Sequence, residues 1–305
     1  MNKTALFLSV PALLMVSFSG AQGHGDAHTE EVVTWQKERL ERLTSDTGWL
    51  TIAGFYWLEP GKNTIGAAPD NMVLLPEGSG PAHAGVLWLD QGEAGDQVRL
   101  ELHDGVKGMI EDEVVGQDRM LTADIPGPAD KVTVGRVTFW VIKRGGKLAI
   151  RMRDPECNLR KEFVGLTHFP IEQSYQAKGK FIPYKEPKTV ASPNVMGYES
   201  ETQIYGRVEF QMKGQTFVLE PNMDDLEDDT LFFVFGDETT GKETYGGGRF
   251  LYASVAEDGS VVLDFNKAYN PPCAFNPWTT CERPRKENML PITVRAGEKA
   301  YTGEH

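Results

Sequence analysis

Between residues 50 and 152, short β-prone runs recur roughly every ten residues, each closed by a polar or glycine-bearing turn. The run at 50–58 is followed by runs at 63–65, 72–75, 84–89, 98–102, 114–115, 119–123, 131–134, 136–143 and 148–152. Gly145 and Gly146 space the last two as a two-residue hairpin, because glycine supplies the positive φ that such a turn needs. The second half repeats the pattern at 203–212, 215–220, 231–235, 249–255 and 261–265, with Lys213-Gly214 and Asp258-Gly259 as turns. A doubly wound sheet is excluded, since it needs helical segments of roughly 10–15 residues between its strands. The expected fold is all-β, with two β-rich lobes of sandwich or barrel type and a short N-terminal helix. Phe169-Pro170 and Phe181-Ile182-Pro183-Tyr184 mark an extended crossing between the halves, and the Pro-rich segment through Pro193 reads as the entry to the second domain.

The start of the chain reads as an export signal. Lys3 precedes an apolar run over 5–18, and Ser19, Gly20 and Ala21 offer the small residues of a cleavage site. The expected division is therefore a signal peptide at 1–21, a helix and linker at 22–47, and β-rich lobes at 48–155 and 156–305. Residues 22–29 read as disordered, with Thr29 or Thr34 capping a helix that runs to Thr44. Val32, Trp35, Leu40 and Leu43 form its apolar face, which is expected to pack on the strands after it, and Arg39 falls among its solvated charges. The expected location is periplasmic or secreted, with no stable membrane insertion after signal cleavage. A retained membrane anchor is the alternative. The net charge of −13 argues against nucleic acid as a partner, since phosphate backbones are held by a basic face.

Candidate chemistry is spread along the chain. Arg151, Arg153, Arg160 and Lys161 place four cations within eleven residues. They read either as an anion pocket or as partners for Asp154, Glu156 and Glu162. Gly236 to Glu243 nearly matches a phosphate-binding loop. Glu243 stands where the motif needs a hydroxyl, and a strand comes next where it needs a helix, so a hairpin turn is the reading. Asp224, Asp225, Glu227, Asp228 and Asp229 lack the central glycine of a calcium loop and read as a solvated turn. The glycines at 246–248 let backbone approach a ligand or the 264–270 segment closely. Asp264 is expected to pair with Arg249 or Lys267.

Cys273 and Cys281 flank a loop of Pro, Asn and Thr and are expected to form a disulfide in an oxidising compartment, leaving Cys157 odd. A zinc site from Cys157, His168, Cys273 and Cys281 is the weaker alternative, so neither a metal nor a cofactor is expected. The functional expectation is a small polar or anionic ligand in a cleft of the C-terminal lobe. Its expected contacts are Arg151, Arg153, Tyr245, Arg249, Asp264, Asn266 and Lys267. The alternative is a hydrolase or lyase using carboxylate, tyrosine or arginine chemistry in the same cleft, with Tyr245, Asp264 and Glu220 as candidate acids or bases. Whether the protein is an enzyme stays open at this point.

Two resemblances add to this. Residues 241–252 (GKETYGGGRFLY), 264–281 (DFNKAYNPPCAFNPWTTC) and 288–299 (NMLPITVRAGEK) resemble domain-of-unknown-function family 1684, and 49–61 fits the same pattern. That resemblance implies kinship over most of the mature chain and no particular reaction. The first lobe also resembles a forkhead-associated domain in outline, through Gly61, Ile65-Gly66, Asn71 and His83. The phosphate-capturing positions of that family are replaced here by Ala67 and Gly80-Pro81, so only a sandwich shape is implied and His83 is expected to be structural.

Overall fold

The computed structural model describes residues 23–304 apart from 94, 117 and 198. The segment read as a signal peptide lies outside the described residues. The chain is mostly β-structure with one long helix, α1, at Gly23–Thr44. Among the described residues no helix is long and apolar enough to cross a membrane.

The N-terminal half is a sandwich. A six-stranded sheet runs in the order Ile52–Trp57, Lys147–Arg153, Val137–Arg144, Val132–Val134, Gly108–Ile110 and Glu113–Val115. A five-stranded sheet packs on it in the order Val73–Leu74, Gly61–Gly66, Gly85–Asp90, Gln97–Leu102 and Asp118–Leu121. Their facing side chains make one apolar core, with Ile65, Leu87 and Leu100 from one sheet against Val132, Phe139 and Ile150 from the other. Alternation sets this arrangement, because every second side chain of a strand points inward. The Gly145-Gly146 turn forms as expected, with Arg144 opposite Lys147 and positive φ at both glycines.

The C-terminal half is a second layered β-structure. Gln215–Leu219, Glu199–Met212, Gln176–Pro193 and Ser260–Asp264 form a four-stranded antiparallel sheet. The hairpin of Thr230–Phe235 and Arg249–Ser254 packs against it. Val208, Phe210, Phe233, Phe235 and Leu251 share the core between them. The end of the crossing and the Pro-rich entry segment are instead one 18-residue strand, Gln176–Pro193, paired with Ser260–Asp264 at its start and with Glu199–Met212 along the rest. Its prolines are accommodated where the register shifts between Pro183 and Lys188, since proline lacks the donor that a regular ladder requires.

Helix α1 corrects several expectations, first the disorder read at 22–29, since residues 23–29 are helical. It begins at Gly23, so neither Thr29 nor Thr34 is its cap. Most of its length docks on the C-terminal half, while its last turn also packs on the Trp49–Thr51 turn that follows it in sequence. Its inward stripe is His28, Val32, Trp35, Arg39 and Leu43, a spacing of three to four residues that keeps one helical face. His28 bonds Asp264, Trp35 meets Tyr269, and Leu43 packs with Leu50, Ala274 and Phe275. Leu40 points outward while Arg39 is buried. Arg39 is paired with Glu298 and lies over the Tyr269 ring, so its buried charge is partnered and hydrogen-bonded.

Candidate functional site

The region richest in special residues builds an interior of paired polar groups. Arg249 is 1% exposed. It donates from Nη2 to Asp237 Oδ2 at 2.7 Å and to Val294 O at 3.0 Å, and from Nη1 to Ala296 O. Burial pushes the pKa of this guanidinium down and Asp237 opposes that shift. Arg39 donates to Glu298 Oε1 at 3.2 Å and to Asn270 O at 3.1 Å. Burial pushes the Glu298 carboxyl up, against the pull of Arg39. Glu298 Oε2 accepts the Asn270 amide at 2.8 Å, tying the start of the Pro-rich loop to the end of the chain.

Asp264 takes a partner no local pattern indicated. His28 Nε2 lies 2.8 Å from its Oδ2, and Asn266 bonds Oδ1 through both its amide and its side chain. Lys267 pairs with Glu31 of α1. The expected pairing of Asp264 with Arg249 or Lys267 is therefore replaced by two contacts to α1, and Arg249 pairs with Asp237 instead. Glu220 accepts from Tyr184 at 2.6 Å, Lys188 at 3.0 Å and Arg285 at 2.9 Å. These donors hold its carboxyl below the usual range even though burial, the largest single influence, pushes it upward.

The remaining expected site residues each have a different neighbour as partner. Arg151 is buried, donates to Thr280 Oγ1 at 3.2 Å and lies 5.7 Å over Trp49. Arg153 rests over Trp140 at 5.5 Å, and burial lowers its pKa. Tyr245 donates to Cys273 O at 3.0 Å, and burial raises its pKa. Asn266 Nδ2 holds Glu172 O at 3.0 Å. Glu220 lines a surface pocket, but Tyr245, Asp264 and Glu220 share no hydrogen bond with one another.

The expected disulfide is not formed. Cys157, Cys273 and Cys281 are free thiols. Cys281 Sγ accepts the Cys273 amide at 3.3 Å and lies 3.6 Å from Thr279 Oγ1, so the loop turns the second sulfur onto backbone and hydroxyl. Its hydrogen bond to Cys281 is the leading influence that keeps the Cys273 thiol protonated, with burial second. Among the described residues no group of three or more His, Cys, Asp or Glu side chains is placed to hold a metal.

The glycine triplet also has an internal partner. Gly248 has φ +84°, and a Cβ there would fall 2.3 Å from Pro284 Cγ and 2.7 Å from Phe235 O. The close approach that the glycines allow is to protein. The Gly236–Glu243 stretch is a tight turn, with Gly241 N–H bonded to Thr244 O at 3.0 Å and Lys242 N–H to Thr239 O at 3.0 Å.

One groove stands out chemically. It has a volume of about 520 Å³ and runs between α1 and the outer face of the C-terminal hairpin. Trp35, Trp49, Phe232, Phe250, Tyr252 and Tyr269 form most of its wall, and its charged lining residues are Arg39 and Arg42, with no carboxylate. The pocket beside Glu220 balances Lys188, Arg285 and Lys286 against Glu199, Glu220 and Glu287. A pocket near Phe181 is lined by Glu227, Asp228, Asp229 and Glu257. In an acidic chain the α1 groove is thus locally cationic. Its Arg39 is held from behind by Glu298 and lies 4.7 Å over Tyr269. Arg42 is 60% exposed and only loosely paired to Glu38 at 3.7 Å. Sequence reasoning missed this groove because Phe232, Phe250 and Tyr252 read as ordinary strand residues. The available signal was that the run at 231–235 is apolar on both faces while only one face meets the core.

Fold and groove together define an all-β protein of two packed lobes with a cation-rimmed aromatic cleft. Residues 161–299 match the family model described as "Protein of unknown function (DUF1684)", so the C-terminal part of the chain carries that family's sequence. The matched segment leaves out α1 and the N-terminal sandwich, including the 49–61 stretch. The forkhead-associated outline gains no support from these comparisons. Among solved structures, the chain is similar to the solution NMR structure of an uncharacterized protein of Haloarcula marismortui. The two are 28% identical, the match covers 46% of this chain and 78% of that one, and the TM-score is 0.38. A search of curated proteins found no match.

Proposed function

We propose that the protein is an exported binding protein for a small anionic ligand, held in the groove between α1 and the aromatic face of the C-terminal lobe. The observation that carries this is the lining, which joins an aromatic wall to two arginines and no carboxylate. Ligand sites are concave, largely apolar and set with a few polar anchors, and this groove fits that description. Arg42 is the anchor with charge to offer, because Arg39 is already matched by Glu298. The export signal read at residues 1–21 supports a role outside the cytoplasm.

Binding is favoured over hydrolysis by one arrangement. Tyr245, Asp264 and Glu220 each sit in a separate hydrogen-bonded network, whereas acid–base catalysis needs its groups within reach of one reacting atom. The test is a thermal-shift screen of the full chain with benzoate, succinate, glucuronate and inorganic phosphate. A ligand that binds only the folded state at a hundred times its Kd stabilises it by about 2.7 kcal/mol. At least one of these anions is expected to raise the melting temperature of the wild type and to lose that effect in Arg42→Gln. A shift that survives Arg42→Gln unchanged, or no shift with any anion, would overturn the reading.

A further inference from the structure

Resting on that reading, we infer that the anionic group of the ligand is carried by a flat aromatic ring. Three rings make up the floor of the groove. Tyr252 and Tyr269 lie within 15° of parallel with centroids 6.4 Å apart, and Phe232 lies 4.9 Å from Tyr252 at a tilt of 32°. Tyr252 is 55% exposed although it sits in the middle of an aromatic cluster. Across the groove, Trp49 is 40% exposed. Two large rings that turn bare surface toward the same cavity offer stacking area on both sides, and aromatic pairs gain from offset-stacked and edge contacts beyond the area they bury.

The polar inventory separates a ring from a sugar. A saccharide brings several hydroxyls into the cleft, and each needs a partner once water is displaced. The lining has hydroxyls and indole N–H groups but no carboxylate or side-chain amide to accept from those hydroxyls. The Ser45 hydroxyl donates to Arg42 O at 3.0 Å, and Arg39 is engaged by Glu298 and Asn270. What remains is an aromatic floor whose one exposed charge is the Arg42 guanidinium at its rim. An aromatic acid matches it, with the ring on Tyr252 and the acid group at Arg42, where a planar guanidinium can meet a carboxylate with two parallel hydrogen bonds.

Calorimetric titration of the full chain tests this with naphthoate, cyclohexanecarboxylate, glucuronate and uncharged naphthalenemethanol. Naphthoate is expected to bind about tenfold or more tightly than the other two acids, a difference of about 1.4 kcal/mol. Tyr252→Ala should weaken naphthoate by a similar factor, and Tyr252→Phe should restore it. Arg42→Gln should weaken naphthoate while leaving naphthalenemethanol unchanged. If cyclohexanecarboxylate or glucuronate binds as well as naphthoate, and still depends on Arg42, the aromatic inference is overturned and the anion reading stands. If no acid binds, or binding ignores both Arg42 and Tyr252, the anion reading fails with it.

Discussion

The two halves of this molecule reach stability by different chemistry. The N-terminal sandwich closes on apolar side chains from both sheets, Ile65, Leu87, Phe139 and Ile150 among them. Its main buried ion pair joins Asp154 to a part-exposed Arg136 at 2.9 Å. The C-terminal lobe has a similar apolar layer, but around it are buried Glu220, Asp237, Arg249, Asp264, Arg285 and Glu298. Each is held by directed hydrogen bonds. A core of alkyl groups tolerates shape changes if volume is kept, whereas a paired charge tolerates almost none once its partner is gone. The residues that make the C-terminal sequence distinctive are therefore largely internal fasteners, and the proposed binding surface lies outside them on the aromatic face of the hairpin.

The sharpest way to break this contrast is Asp237→Asn. It leaves the Arg249 guanidinium charged and fully buried, and is expected to cost about 3–5 kcal/mol, read as a fall in the urea midpoint at unchanged slope. Ile150→Leu, equally buried in the other half, should cost under about 1.5 kcal/mol. Equal costs for the two would erase the distinction. A smaller effect comes from His168, half-buried between the C-terminal segment and Arg39. Burial and the charge of Arg39 lower its pKa from 6.5. A histidine depressed in the folded state favours the unfolded chain once protons bind it, so this contribution is full above pH 6.5 and is lost as pH falls toward the folded value. His168→Gln should flatten the stability profile below that pH, and an unchanged profile would remove His168 from the account. Last is Tyr252→Ala. Its half-exposed ring lies outside the polar interior and packs on Phe232 at 4.9 Å, and losing such an aromatic pair costs about 0.5–1.5 kcal/mol.

Local pattern made the strands legible. Period-two alternation and glycine turns located most of the N-terminal strands to within a residue or two, because those signals act between neighbours in the chain. The short strand Gly108–Ile110 was missed, having too few residues to alternate. The long strand Gln176–Pro193 was hidden by its prolines, which mark breaks in isolation yet are accommodated here around a register shift. The polar interior was harder to read for a plain reason. His28 and Asp264 are 236 residues apart, and Arg39 and Glu298 are 259 apart. No spacing rule links them, and an arginine among helix charges looks solvated until its partner is known. The candidate cleft assembled from Arg151, Tyr245, Arg249 and Asp264 followed residue type alone, and in the structure those four groups face four different partners. The groove beneath α1 required knowing that the helix docks on the second lobe, which the chain order does not suggest.

The central claim is that fastening and binding are separate in this lobe, with the interior charges holding the fold and the outer aromatic face holding an anion. It is tested most directly by measuring urea stability and naphthoate affinity together for Tyr252→Ala and for the wild type. The expected result is a stability within about 1.5 kcal/mol of the wild type, with affinity falling by about tenfold, equivalent to about 1.4 kcal/mol of binding free energy. A midpoint that drops as far as that of Asp237→Asn, or an affinity that does not change, would contradict it.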